Sequence, residues 1–261
     1  MSKFVRTILA AAFVALAAGC ATPGSVDDRD PLEGYNRAMY GINEGFDELV
    51  MKPVSGAYRD LAPDPVRMWV RNFFANISDL FIGANSLLQG KPGDAVNDWA
   101  RFAFNTTFGI FGINDVASDM GLEKHDEDFG QTLGVWFMKD PGPYLIWPIL
   151  GSSTFRDSAG RLVDMSVDPV LKHRPRGART ALVVTRGISL RADLLDASRI
   201  LEEAALDKYV FQRDAYLQRR RNQIYDGNPP RESSRSATPP AAEAAPAAPD
   251  EAAAATSASG E

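Results

Sequence analysis

The chain has a single cysteine, Cys20, at the end of an apolar N-terminal run. That placement removes two common ways of stabilising an exported fold. No disulfide framework can form, and no second thiol remains for zinc or nucleophilic catalysis. Whatever follows must be held by burial, hydrogen bonds and ion pairs. The run has the layout of an export signal, with Lys3 and Arg6 ahead of Thr7–Ala18 and small residues up to Cys20. It is too short for a membrane span, which needs ~20 apolar residues.

A cysteine directly after small residues also resembles a bacterial lipoprotein signal. Residues 1–19 are then removed and Cys20 is acylated. Such signals usually carry Leu three places before the cysteine; here Ala17 holds that place and Leu16 lies one further back. One acyl chain anchors only marginally and two or more anchor stably. Signals of this type supply three. Ala21, where an Asp would retain the protein at the inner membrane, implies delivery to the outer membrane. Residues 20–29 are expected to be a lipidated tether. From Asn228 the sequence is Pro, Ala, Ser and Glu with no large apolar residue, so residues 228–261 are expected to be a disordered tail. One folded domain is left, residues 30–227.

Inside it the periodicity is helical. From Arg67 to Gln89 the residues Trp69, Phe73, Ile77, Leu80, Ala84 and Leu87 recur every three or four positions, with Val70, Phe74, Phe81 and Leu88 widening the stripe. Core packing is the ordinary role of such a stripe, with Phe73 at its centre. A belt on acyl chains is the other role, with Phe74 and Phe81 on its flanks. Gly90, Pro92 and Gly93 end this helix, and a second begins with Asp94 as N-cap. Arg191–Ile224 reads as a third long stretch ending in Arg213, Arg219, Arg220 and Arg221, cations that suit a helix C-terminus. No run alternates as strands do, apart from the ambiguous "ALVVT" at Ala181–Thr185. The predicted fold is all-α with irregular connections.

The net charge of −6 argues against nucleic acid as a partner. The chain has no phosphate-binding glycine loop, no dinucleotide fingerprint and no H-E-x-x-H. His125, Asp126, Glu127 and Asp128 could ligate a cation, but a solvated acidic turn explains them equally well. "GSST" at Gly151–Thr154 lacks a nucleophile elbow. No catalytic, metal or cofactor site is therefore expected beyond the lipid on Cys20. Between Asp168 and Asp193, Lys172, Arg174, Arg176, Arg179, Arg186 and Arg191 occur with no acidic residue among them. They form either a solvated face or a collar for phosphate groups, each cation near an anionic surface being worth ~1 kcal/mol. "NTTFGIFGINDVAS" at Asn105–Ser118 is too apolar for an ordinary surface and too interrupted for a span.

Seven blocks in order, "DPLEGYNRAMYGINEGFD" from Asp30, "NFFANISD" from Asn72, "NSLLQG" from Asn85, "RFAFNTTFGIFGINDVA" from Arg101, "DFGQTLGVW" from Asp128, "GPYLIWPILGSSTFRD" from Gly142 and "AYLQRR" from Ala215, resemble the VacJ/MlaA family of outer-membrane lipoproteins. Phe137 and Met138 depart from the family's usual Gly-Val pair, and the Pro/Ala tail has no family counterpart. The resemblance implies a ring-like monotopic helical disc in the inner leaflet of the outer membrane, with a polar-lined channel. Phe74, Phe81, Phe102, Phe108 and Phe111 are then expected to face lipid, and Arg174, Arg176, Arg179 and Arg186 to meet head groups or a partner. The implied function is removal of mislocalised phospholipid from the outer leaflet. The implied partners are a trimeric outer-membrane porin and a periplasmic lipid-binding protein serving an inner-membrane ABC transporter. A structural or assembly lipoprotein is the second reading and a lipid or cell-wall hydrolase the third.

Overall fold

A computed structural model describes residues 27–230; the expected signal, Cys20, most of the tether and the tail from residue 231 lie outside them. Helix α1 (Glu33–Phe46) runs through a π-helical turn (Asp47–Met51) into α2 (Lys52–Leu61). Ala62 is extended and Pro63 follows, which separates α2 from α3 (Asp64–Leu88). The expected helix over Arg67–Gln89 is thus present and one turn longer at its start. A tight turn through Gly90 leads into α4 (Pro92–Thr107), which lies along α3. Lys91 is the N-cap of α4, not Asp94, which falls in the first turn.

The short α5 (Val116–Asp119) and α6 (Phe129–Trp136) are each capped by an aspartate, Asp115 accepting from the Ser118 amide and Asp128 from the Gln131 amide. A two-stranded hairpin follows, β1 (Tyr144–Trp147) antiparallel to β2 (Gly151–Thr154), in register Tyr144 with Thr154. It was not expected from the sequence, because strands this short give two inward residues and no visible alternation. Tyr144 and Ile146 point inward, and Asn36 of α1 closes the free edge. Asn36 accepts from the Ile146 amide (2.8 Å) and donates to the Tyr144 carbonyl (3.0 Å).

Thr154 caps α7 (Phe155–Val167), and Asp168 caps α8 (Pro169–Lys172). The remaining elements are α9 (Arg176–Asp193), α10 (Leu195–Ala204) and α11 (Lys208–Ile224). "ALVVT" is helical within α9. The stretch expected as one helix from Arg191 is broken, since the chain leaves helical geometry at Ala205 and restarts with Asp207 as N-cap.

An apolar cluster of Tyr144, Ile146 and Tyr209, flanked by Met39, Tyr40, Val210, Tyr216 and Leu217, packs the hairpin onto α1 and α11. Elsewhere the interior is polar. Asn76, Asp79, Asn85, Ser86, Asp98, Arg101, Asn105, Gln131, Arg156, Asp157, Arg213 and Arg220 are buried, whereas Leu49, Leu61, Trp69, Leu87, Phe108, Phe111, Phe137, Ile149 and Val184 are exposed. This reverses the usual distribution in a water-soluble domain, where charged residues are seldom fully buried.

Candidate functional site

The reversal is built helix by helix. On α3 the buried residues are Phe74, Asn76, Asp79, Ile82, Gly83, Asn85 and Ser86. On α4 they are Ala95, Asp98, Arg101 and Asn105, a helical period carried mainly by polar groups. These two polar faces meet. Ser86 Oγ donates to Asp98 (3.3 Å), and Asn76 Nδ2 donates to Thr106 Oγ1 (2.9 Å). The aromatic stripe of α3 therefore points outward, with Trp69, Leu80, Leu87 and Leu88 exposed and Phe73 half-buried. One expectation is overturned here and another is shifted. Phe74, placed on acyl chains, is 8% exposed, and its ring packs edge-to-face on Phe73 at 5.2 Å. Phe73, placed at the centre of a core, is the more open of the two, because the polar side of the helix takes the inside.

Trp99 and Trp136 show how aromatics adapt to an outer surface. Each is exposed, yet its indole N–H turns inward to a helix carbonyl, Trp99 to Leu80 (3.2 Å) and Trp136 to Leu88 (2.8 Å). With the polar atom satisfied by the protein, the hydrocarbon of the ring is left on the surface.

The segment Asn105–Ser118 is a compact turn on this surface. Phe108 (68% exposed), Ile110 and Phe111 (73% exposed) project from it, and Ile110 and Phe111 hold left-handed φ of 55° and 58°. Such angles strain a β-branched or bulky residue. Gly109 allows the turn to close, since a Cβ there would lie 2.1 Å from the Asn114 carbonyl oxygen. Beneath it, Arg101 donates to both oxygens of Asp115 (3.0 Å each), to Ser118 Oγ (3.1 Å) and to the Leu122 carbonyl (2.6 Å). Burial pushes the Asp115 carboxyl up, but Ser118, Asn105 and Arg101 outweigh it and hold it at about 2. An exposed apolar tip is thus bolted to an ion pair whose arginine is buried. Of the other aromatics expected to face lipid, Phe108 and Phe111 are thus exposed, while Phe81 and Phe102 are half-buried.

A second network joins α6, α7 and α11. Arg220 makes paired hydrogen bonds to Asp157 (2.9 and 3.0 Å) and to Asp128 (2.6 and 2.9 Å), and Arg156 bonds Asp157 at 2.8 and 2.9 Å. Burial raises Asp157, but Arg220 and Arg156 outweigh it and hold it at about 2. Gly160 lets α7 approach α6 backbone to backbone, because a Cβ there would meet the Gly130 nitrogen at 2.3 Å. In a third network, Arg213 pairs with Asp30 (3.3 Å) and Asp27 (3.0 Å). The arginines of α11 therefore do more than complement a helix terminus. Paired ionisable groups facing inward are the arrangement found at membrane depth, where an unpaired charge is costly.

The basic run divides in two. Arg186 pairs with Asp168 (2.9 Å) and Arg191 with Asp47 (2.6 Å), so these two are neutralised by residues outside the acid-free interval. Arg179 is half-buried and donates to the Leu171 carbonyl (3.5 Å). Lys172, Arg174 and Arg176 are exposed together where α8 gives way to α9. As a six-residue collar the run does not exist; as a three-cation patch it does.

The acidic turn is also divided. Asp126 meets Arg219 (2.9 Å), Glu127 meets Lys91 (3.0 Å), Asp128 meets Arg220, and His125 Nδ1 lies 2.8 Å from Asp98. Among the described residues no cluster of His, Cys, Asp and Glu could hold a metal ion. Ser152 and Ser153 are strand residues bonded to Tyr144 Oη (2.8 Å) and Ser158 Oγ (2.9 Å) respectively. Arg101, Asp115, Asp128, Asp157 and Arg220 were not singled out from the sequence as interior groups. The available signal was a charge at helical spacing inside an apolar stretch, as in "WARFAFNTT".

Comparison with known proteins places this arrangement. A family model described as MlaA lipoprotein matches residues 28–223. The intermembrane phospholipid transport system lipoprotein MlaA of Escherichia coli (strain K12) is 36% identical over 210 residues, covering 78% of this chain and 82% of the relative. The protein of that name from Haemophilus influenzae is 31% identical over 233 residues, covering 85% and 92%. A solved structure described as the structural basis for maintenance of bacterial outer membrane lipid asymmetry superposes with a TM-score of 0.65 at 34% identity, over 76% of this chain and 99% of that one.

Proposed function

The chain belongs to the MlaA lipoprotein family, and from that premise we propose that it is an outer-membrane lipoprotein that withdraws mislocalised phospholipid from the outer leaflet. The lipid passes through an amphipathic channel to a periplasmic lipid carrier. The names of its relatives support phospholipid as cargo. The observation that carries the physical side is the inverted burial, apolar side chains outside and paired charges inside. Such a body is at home in lipid and can offer a polar path to a head group. Among the described residues no helix is long and apolar enough to cross a membrane, which favours insertion into one leaflet.

In this reading Phe108, Ile110 and Phe111 seat the domain among acyl chains, and Cys20 supplies the covalent anchor. Lys172, Arg174 and Arg176 meet phosphate groups at the interface, at ~1 kcal/mol each. A trimeric porin is the proposed membrane partner, and the carrier is the one that serves an inner-membrane ABC transporter. The test is the amount of surface-exposed phospholipid in cells with the gene, without it, and with it restored. Loss should raise that amount and restoration reverse it. A structural or assembly lipoprotein would leave it unchanged.

A further inference from the structure

A polar cavity of about 250 Å³ opens between α7, α11 and the turn ahead of α6. Most of the charges on its walls are matched. Arg219 pairs with Asp126, Arg220 with Asp128, and Asp157 is held by both Arg220 and Arg156. Two charged groups on the walls remain, Asp164 and Arg161. Among the described residues neither has an ion-pair partner. Asp164 accepts only from neutral donors, the Phe129 backbone N–H (3.2 Å) and the Asn85 side chain, and Arg161 donates only to neutral carbonyls, Leu150 (3.1 Å) and Ser152 (3.2 Å). They stand three residues apart on one face of α7, in the same cavity, yet are not in ion-pair contact with each other.

A carboxylate with no ion-pair partner beside a guanidinium with none is the complement of a zwitterion. We propose that this cavity binds a phosphoethanolamine group, with its ammonium on Asp164 and its phosphate on Arg161, and that the group arrives as the head of a phospholipid. The lipid source rests on the proposed transport function; the zwitterion chemistry rests on the cavity. Burial, with the Asp128 carboxylate nearby, raises the Asp164 carboxyl to about 6, and the Phe129 amide, Arg220 and Asn85 do not offset it. A primary ammonium satisfies such a carboxylate with N–H donors. A quaternary choline would call for an aromatic cage, and Tyr216 is the one aromatic residue on these walls. A phosphoglycerol head would bring a second anion to Asp164 with no cation. The cavity is smaller than the ~300 Å³ at which pockets begin to hold drug-sized ligands, so it takes the head group and leaves the acyl chains outside.

Two measurements on the full chain in detergent test this. Titration calorimetry with soluble phosphoethanolamine should show binding, and Asp164→Asn should weaken it about tenfold, equivalent to 1.4 kcal/mol. Inorganic phosphate should bind both proteins within about twofold of each other, because Arg161 is intact. Native mass spectrometry with an equimolar mixture of phosphatidylethanolamine and phosphatidylglycerol should show the former enriched on the wild type and the enrichment lost in Asp164→Asn. If phosphoethanolamine fails to bind, or binds Asp164→Asn as tightly as the wild type, the site is overturned whatever lipids are retained. If phosphoethanolamine binds but retained lipids show no head-group bias, the lipid source is wrong while transport can still stand. If phosphoethanolamine binds and no phospholipid is retained at all, the transport reading and the lipid source both fall.

Discussion

Replacing Arg220 by Met should be among the most damaging single changes in the domain, and its pH dependence should run opposite to that of the wild type. Arg220 is buried and makes paired bonds to Asp157 and Asp128. Removing one member of a buried ion pair costs about 3–5 kcal/mol, because the partner charge is left without compensation. Arg156 still holds Asp157 in the variant, so the lower end, about 3 kcal/mol, is expected. In a domain of this size each kcal/mol shifts Tm by about 2–4 °C, giving a loss of about 6–12 °C by calorimetry in detergent. In the wild type Asp157 is held at about 2, so its contribution is present above pH ~4 and is lost as pH falls toward 2. In Arg220→Met only Arg156 and Tyr216 are left to oppose burial, so the same carboxyl rises and protonation relieves it. The variant's deficit should shrink as pH falls from 7 to 4.5. A Tm within 1–2 °C of the wild type at pH 7, or a deficit as large at pH 4.5, would refute the network as a source of stability.

The outer surface should respond differently. Phe111→Asn should change stability in detergent by less than about 0.5 kcal/mol, as surface substitutions usually do, yet reduce flotation with phospholipid vesicles. Unchanged flotation would remove the tip from the membrane. Asp164→Asn should stabilise the protein at pH 7.5. A carboxyl raised from 3.8 to about 6 binds its proton more tightly when folded, so wild-type stability declines as pH rises through that interval. Two pH units are worth about 3 kcal/mol, and discounting for partial exposure leaves about 1 kcal/mol at pH 7.5 and none at pH 4, by denaturant titration. A variant less stable at pH 7.5 would contradict this. Cys20→Ala should be lost from the outer-membrane fraction with its signal uncleaved; correct fractionation would show that acylation is not required for placement.

The positions of α3 and α4 were legible because helical periodicity is a local property of the chain. Which face turned inward was not. A hydrophobic stripe specifies two faces, and only the surrounding solvent decides which is buried, so Phe74, expected on the outer flank, lies buried while Phe73 is half-buried. The polar stripe Asp98, Arg101 and Asn105 was equally periodic and carried the missing information. The hairpin was hidden because its strands are short and the outer edge of β1 is bonded by Asn36, more than a hundred residues upstream. The basic run looked uncompensated for the same reason, since Asp47 and Asp168 reach Arg191 and Arg186 from outside the interval. Of the aromatics expected on lipid, Phe108 and Phe111 are the exposed ones, because a turn containing Gly109 and Gly112 projects them from the surface. Several of the blocks behind the family resemblance carry the ionic networks, with Arg101, Asp115, Asp128, Asp157 and Arg220 among their residues.

Native tryptophans test the inverted burial most directly. Trp99 and Trp136 are exposed, while Trp147 is half-buried with its N–H bonded to Ser158 Oγ at 2.8 Å. In single-tryptophan variants reconstituted into vesicles, phospholipids brominated on the acyl chain should quench Trp99 and Trp136 strongly and Trp147 weakly. Aqueous acrylamide should do little to the first two. If acrylamide quenches Trp99 and Trp136 and brominated lipid does not, the apolar exterior faces water or protein instead of acyl chains, and the proposed placement in the membrane fails.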